Sequence, residues 1–320
     1  MKKLFATLMI LTMLNSNAWA FSLFKKEKTQ KKSSYIEQLT KNKSDEAQIR
    51  DILRNLTKYS NEHDVDKIIS LYDKSYRSFD GFEYDTFKKM LQETFKAYDD
   101  ISYKSDVESI NLYGDKAVAN LIDRTKATLV SKKAQEKFKE MSDPELNSGL
   151  LEGECNYSIY LQKINNEWKI VGDNVISEVT SVKYGSAKEY PMEFLAPLTT
   201  PKDEEYCLTL KMPVEKGVKV VAALGKEEIL YPSVEPEDIF RKLPKDGILE
   251  RIVRANKNGY NEYAMASVGI TKISAAPDLS LFEIKMTGLA FLMQRVNVYT
   301  KLNPTREDDK NKKEESENKG

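Results

Sequence analysis

Cys155, Tyr157, Ile159 and Leu161 alternate with more polar neighbours, Asn165-Asn166 follows, and Trp168 and Ile170 alternate on the return. A period of two on both sides of an Asn-Asn turn specifies an antiparallel hairpin with one buried face. Val175 fits the returning strand less regularly. Upstream the period changes. Ile49, Ile52, Leu53, Leu56 and Tyr59 recur at helical spacing; so do Val65, Ile68, Ile69 and Tyr72 behind Asp64, a good N-cap. Phe87, Met90, Leu91, Thr94, Phe95 and Tyr98 mark a third helix. Strand character begins with Val107, Ile110 and Leu112. It continues after a Gly114-Asp115 turn through Lys116–Val130, with Ala117, Ala119 and Leu121 on one side. A charged stretch around Pro144, residues 131–152, interrupts it as a short helix plus loop. Three helices followed by an antiparallel meander define an α+β class. To bury both, the sheet must curl around the helices, which leaves a concave face.

Tyr190-Pro191 and Pro197–Pro201 read as a joint, separating a first domain over 45–184 from a second over 190–302. The second is β-rich, and a small sandwich is one arrangement that fits. Leu208, Leu210 and Met212 alternate, as do Val218, Val220, Ala222 and Leu224. Residues 236–243 and 247–255 read as a helical insertion. Strand character resumes over 263–273 and 281–299, with a kink expected at Gly288. There Ala290, Leu292, Val296 and Val298 form an apolar set interrupted by Gln294. Residues 303–320 are nearly all Lys, Glu, Asp and Asn and read as a disordered charged tail.

The N-terminus predicts a location. Met1-Lys2-Lys3, the apolar run Leu4–Leu14 and the Ala18-Trp19-Ala20 cleavage pattern form a secretory signal peptide over 1–20, with cleavage after Ala20. The expected product is periplasmic or secreted. It starts at Phe21 with a basic flexible leader over 21–44 and carries no second stretch long enough for a transmembrane anchor. In such a compartment Cys155 and Cys207 are a candidate disulfide that would staple the two domains; the alternative is two buried thiols. Acids and bases balance at 50 each, and removing Lys2 and Lys3 tips the count towards acid, which argues against a nucleic-acid partner. His63 is the single histidine, which excludes a His-rich metal site. Acidic pairs such as Glu227-Glu228 lack calcium-loop spacing. No metal site and no cofactor are therefore expected.

The helix Ile49–Tyr59, the following stretch His63-Asp64-Val65-Asp66-Lys67-Ile68-Ile69-Ser70-Leu71-Tyr72, and the closing Asn165-Asn166-Glu167-Trp168-Lys169-Ile170-Val171 hairpin together resemble the NTF2-like superfamily. This is the cone-shaped α+β fold shared with ketosteroid isomerase and related dehydratases. The resemblance covers residues 45–184 and implies three helices nested in a curved sheet. It also implies a catalytic acid at Asp80, in Leu71–Asp80 after the second helix. The oxyanion-binding tyrosine of isomerase-like members falls at Leu56, with Tyr59 one turn away. A base without an oxyanion donor lacks the larger catalytic contribution.

Tyr59, Tyr72, Tyr76, Phe79 and Tyr157 are the candidate cavity lining, for a small apolar ligand. No nucleophile or acid–base set is assembled by the sequence. The expectation is accordingly an exported, non-catalytic binding or envelope-associated protein whose partner is a small apolar ligand or an envelope protein. The alternative is an isomerase or dehydratase using Asp80 as general base. Whether two chains pair as a homodimer through their sheets stays open.

Overall fold

The computed structural model describes residues 32–98, 100–129, 146, 149–232, 239–275 and 282–301. The expected signal peptide, the charged tail and most of the 131–152 insertion lie outside the described residues. The first helix, α1 (Lys32–Asn61), starts inside the stretch expected to be a flexible leader. That stretch is rich in Lys, Gln and Glu, and extending an existing helix avoids the cost of a new nucleus. Helix α2 (Val65–Ser70) is capped as the sequence predicts, Lys67 N–H donating to Asp64 Oδ1 at 3.0 Å. Helix α3 spans Tyr84–Ala97. None of the described helices is long and apolar enough to cross a membrane.

Four long antiparallel strands follow: β1 (Ser102–Tyr113), β2 (Lys116–Leu129), β3 (Gly149–Ile164) and β4 (Glu167–Gly185). Asn165 and Asn166 both take positive φ (51° and 71°), the geometry of a two-residue hairpin turn, which Asn tolerates better than most residues. Ile49 and Leu53 of α1, Ile68 and Ile69 of α2, and Ala119, Ile159, Trp168 and Ile170 of the strands close one core. Phe87, Leu91 and Phe95 of α3 pack against it. Trp168 is buried there, its Nε1–H donating to Asp45 Oδ1 at 3.1 Å.

The sheet does not stop at the Pro-rich joint. β4 pairs with β3 along one edge and, over Val179–Gly185, with β12 (Phe282–Tyr299) along the other. One sheet therefore runs β1-β2-β3-β4-β12-β11-β8-β9, with β8 at Val218–Glu228, β9 at Arg241–Lys242 and β11 at Glu262–Ala275. The short β5 (Glu193–Leu195) and β6 (Thr199–Pro201) come from the joint itself, and β6 pairs with β12. A second, three-stranded sheet, β10-β7-β5, uses β7 (Glu205–Lys211) and β10 (Ile248–Arg254).

Strands β11 and β12 are covered on both faces. Tyr263, Met265 and Met293 face a core shared with Met90, Tyr98, Cys155 and Val182 from the first half. Ala264, Ala266, Val268, Leu292 and Val296 face the other way, against Leu208 and Leu210 of the small sheet. Gln294, which interrupts the apolar set, makes two bonds to the Ala196 backbone and so pins the joint to β12. The expected kink at Gly288 lies beside a register shift between Ile270 and Thr271 of β11, where Thr287 is the extra residue.

The helical insertion expected around 236–255 is corrected. Ile239 and Phe240 are irregular, Arg241–Lys242 is β9, and Ile248–Arg254 is β10, paired to β7 along its whole length. Residues 236–238 lie outside the described residues. Leu249 and Val253 point inward at strand spacing, and seven residues are too few to separate a period of two from one of 3.6. The disulfide is likewise corrected: both thiols are free. Cys155 is buried in the shared core, whereas Cys207 alternates to the exposed face of β7, because Tyr206 and Leu208 take the inward positions.

Candidate functional site

Between the helices and strands β1–β4 lies a cavity of about 100 Å³. It has room for several waters or one small molecule. Leu56, Thr57 and Ser60 of α1 and Phe87, Met90, Leu91 and Phe95 of α3 form one side. Tyr72, Tyr76, Ser78 and Phe82, around the connection between α2 and α3, form another, and Tyr103, Ser105, Asp123, Tyr157 and Asp173 complete it from the strands. Aromatic side chains pack together in the wall: the Tyr72 and Tyr76 rings meet edge-on at 5.0 Å, and Phe87 tilts against both.

Two carboxyl groups break this apolar surface. Asp123 follows Ala117, Ala119 and Leu121 on the inward face of β2 by simple alternation. Asp173 is turned inward differently. β4 carries an extra residue, Val171, between Ile170 and Gly172, which shifts the alternation by one and re-aims the side chains beyond it. Tyr157 donates its hydroxyl to Asp123 Oδ2 at 2.8 Å, and Tyr76 donates to Asp173 Oδ2 at 2.9 Å. In each case the second oxygen, Oδ1, is buried and has no hydrogen-bond partner among the described residues. Ser105 Oγ, which accepts from Thr57 Oγ1 at 2.8 Å, lies close enough to lower the pKa of Asp123 without satisfying that oxygen.

Burial lifts the pKa of Asp123 to about 6, against the lowering effect of Ser105 and Tyr157. Burial lifts Asp173 well above the ordinary carboxylate value, and the charge of Asp80 pushes the same way; the Tyr76 bond and the Arg295 charge oppose it. Such a pair can hold or exchange protons near neutral pH and can accept hydrogen bonds that the described residues do not supply.

Asp80 lies outside the cavity. Its Oδ1 accepts from Asn261 Nδ2 at 2.8 Å and from Arg295 Nη2 at 2.9 Å, and its Oδ2 accepts from both terminal nitrogens of Arg295 at 3.1 Å. A carboxylate clamped bidentately by a fully buried guanidinium is a structural counter-ion, with its lone pairs committed. This corrects the assignment of Asp80 as general base. Of the expected lining, Tyr72, Tyr76 and Tyr157 do meet at the cavity. Tyr59 packs instead against the first core with Lys67 Nζ 5.5 Å from its ring, and Phe79 packs on the shared core. His63 takes a positive φ after α1, stacks on Phe95 and bonds the Ile101 carbonyl at 2.9 Å. Sequence reading missed Asp123 although its parity was visible. It missed Asp173 because a bulge leaves no mark on a strict period of two.

No family model matches the chain, and no curated protein does. Among solved structures, part of the chain is similar to NTF2-like proteins. A putative dehydratase of that family from Streptomyces avermitilis aligns at 12% identity and a TM-score of 0.33, over 42% of this chain and 96% of the other. A type 2 hexachlorocyclohexane dehydrochlorinase, LinA, aligns at 12% identity and 0.33, over 42% and 85%. Bd1075 of Bdellovibrio bacteriovorus aligns at 14% identity and 0.31, over 40% of this chain and only 38% of its own. The chemistry of the site rests on this chain's own residues.

Proposed function

We propose that this is an exported protein whose first half is an NTF2-like cone of three helices nested in a curved sheet, and that the cone binds a small ligand without transforming it. One observation carries the binding reading: a cavity rich in aromatic side chains holds two buried carboxyl oxygens without hydrogen-bond partners among the described residues. An unpaired buried acceptor is costly, and a ligand supplying a donor removes that cost. The second half supports the cone by continuing its sheet. Export is supported by the leader pattern of residues 1–20.

The test is native mass spectrometry of the protein isolated from its own host, beside a Leu56→Trp variant that fills the cavity from α1. A small molecule bound to the wild type and missing from the variant is the expected result. No bound molecule in either, together with no stabilisation by any small compound in a thermal screen, overturns the reading. N-terminal sequencing of the same sample should begin at Phe21.

A second reading, acid–base chemistry of an isomerase or dehydratase type, is favoured by a single feature, the lift of Asp123 to about 6. It requires that the recovered ligand be converted on incubation, and that Asp123→Asn and Asp173→Asn stop the conversion.

A further inference from the structure

Resting on the binding reading above, we propose that the cavity selects a primary or secondary alkylammonium: Asp173 and Asp123 take the charged N–H groups and the surrounding rings take the alkyl body. The orphan acceptors come first. Asp173 is only 7% exposed, its Oδ2 is filled by Tyr76, and its Oδ1 lies at the cavity wall with no partner among the described residues. Asp123 repeats the arrangement from the neighbouring part of the sheet, with Tyr157 on Oδ2 and Oδ1 left over. Each such oxygen can take a donor that the described residues do not supply, and an ammonium N–H brings that donor on a cation.

The sign of the site comes next. Among the described residues, the cavity lining includes two carboxyl groups and no lysine, arginine or histidine. Arg50, Arg54 and Lys58 of α1 line a separate groove that shares only Thr57 and Ser105 with the cavity. Arg54 and Lys58 are paired there with Asp51 and Glu62. Arg295 reaches the region but is held by Asp80 and does not line the cavity.

The walls add a third argument. Tyr72, Tyr76, Phe87, Phe95, Tyr103 and Tyr157 surround the two acids. Aromatic faces attract cations and also bury alkyl groups, so the same wall accommodates both ends of an alkylammonium. An anion would meet two carboxyl groups. A purely apolar molecule would seal both oxygens from water with nothing to bond, which is the costliest outcome for a buried acceptor. A quaternary ammonium carries the charge but no donor.

The experiment is isothermal titration of the full chain freed of ligand, at pH 7.5, with n-butylammonium, 1-butanol and tetramethylammonium as probes. The expected order is n-butylammonium at least about ten-fold tighter than 1-butanol, with tetramethylammonium between or below; charge-assisted hydrogen bonds are about twice as strong as neutral ones. In Asp173→Asn, and further in Asp123→Asn/Asp173→Asn, the preference for the ammonium should fall by about ten-fold or more while 1-butanol binding changes little. Equal binding of the ammonium and the alcohol to the wild type overturns the cation inference and leaves the cavity reading intact. Binding of neither, in a sample whose thermal melt is normal, overturns both. Should the double variant fail to fold, the wild-type comparison of the two isosteric probes still decides the matter.

Discussion

At the scale of single residues, Asp123 is where function and stability pull apart. Its unfolded pKa is near the ordinary 3.8 and its folded value is about 6. Between those values the folded chain holds more protons than the unfolded chain, so stability falls as pH rises through that window and stays lower above it. Two units correspond to about 3 kcal/mol at most. Asp123→Asn, isosteric and uncharged, is expected to flatten this slope and to stabilise the protein by about 1–3 kcal/mol at pH 7.5 while changing little at pH 4. Urea denaturation of both proteins at the two pH values checks it; identical slopes would show that the carboxyl is not held in a dry site. The sequence already placed Asp123 on the inward face, because Ala117-Val118-Ala119-Asn120-Leu121-Ile122-Asp123 keeps its alternation to the end. What it lacked was a reason to read an acid as part of that face. Arg295 was illegible for another cause: its partner Asp80 is 215 positions away, and no local pattern encodes such a pairing.

At the scale of elements, β4 decides the architecture, and it is the strand whose sequence is least regular. Two extra residues, Val171 and Ile176, break its pairing with β3, and each break turns the following side chains over. The first break aims Asp173 into the cavity. After the second, Glu178, Thr180, Val182 and Tyr184 are the buried residues facing the shared core. This explains why Val175 looked irregular in the sequence while Trp168 and Ile170 did not. The strand ends at Gly185, where φ is +52° and a Cβ would fall 2.2 Å from the Thr287 carbonyl oxygen of β12. Gly185→Ala therefore combines left-handed strain of about 1 kcal/mol with a backbone clash, for an expected loss of at least about 3 kcal/mol. Gly114→Ala is the control: its φ is +72° but nothing lies within 4 Å of the added carbon, so about 1 kcal/mol is expected. Comparing the two by thermal unfolding separates strain from close approach. Helices α1 and α3 were legible because their periods run for three or more turns, and the short α2 because Asp64 caps it. β10 was not, because Ile248-Leu249-Glu250-Arg251-Ile252-Val253-Arg254 consists of residues that suit either period and only its pairing with β7 decides.

At the scale of the whole molecule, one sheet and one core run through both halves. They share β4–β12 pairing, the core that joins Met90 and Cys155 to Tyr263 and Met293, and the Asp80–Arg295 clamp. A Pro-rich joint in sequence is thus no joint in the sheet: the chain leaves β4, makes short β-strands, builds the small sheet and returns to pair with β4 again. Cutting at residue 190 would strip β4 of its β12 partner and leave Asp80 buried without its guanidinium. Unfolding should accordingly be a single transition. The chain contains two tryptophans, Trp19 in the expected signal peptide and Trp168 in the first core, so the processed protein would report on its first half alone by fluorescence. Leu208→Ala perturbs the second half: it leaves a cavity in the core between the small sheet and strands β11 and β12, at an expected cost of about 2–5 kcal/mol. If the halves are coupled, the Trp168 transition shifts by that full amount, and hydrogen exchange in β7 and β10 accelerates in parallel. A Trp168 transition that stays in place while β7 and β10 open early would mean that the continuous sheet joins two independently folding bodies.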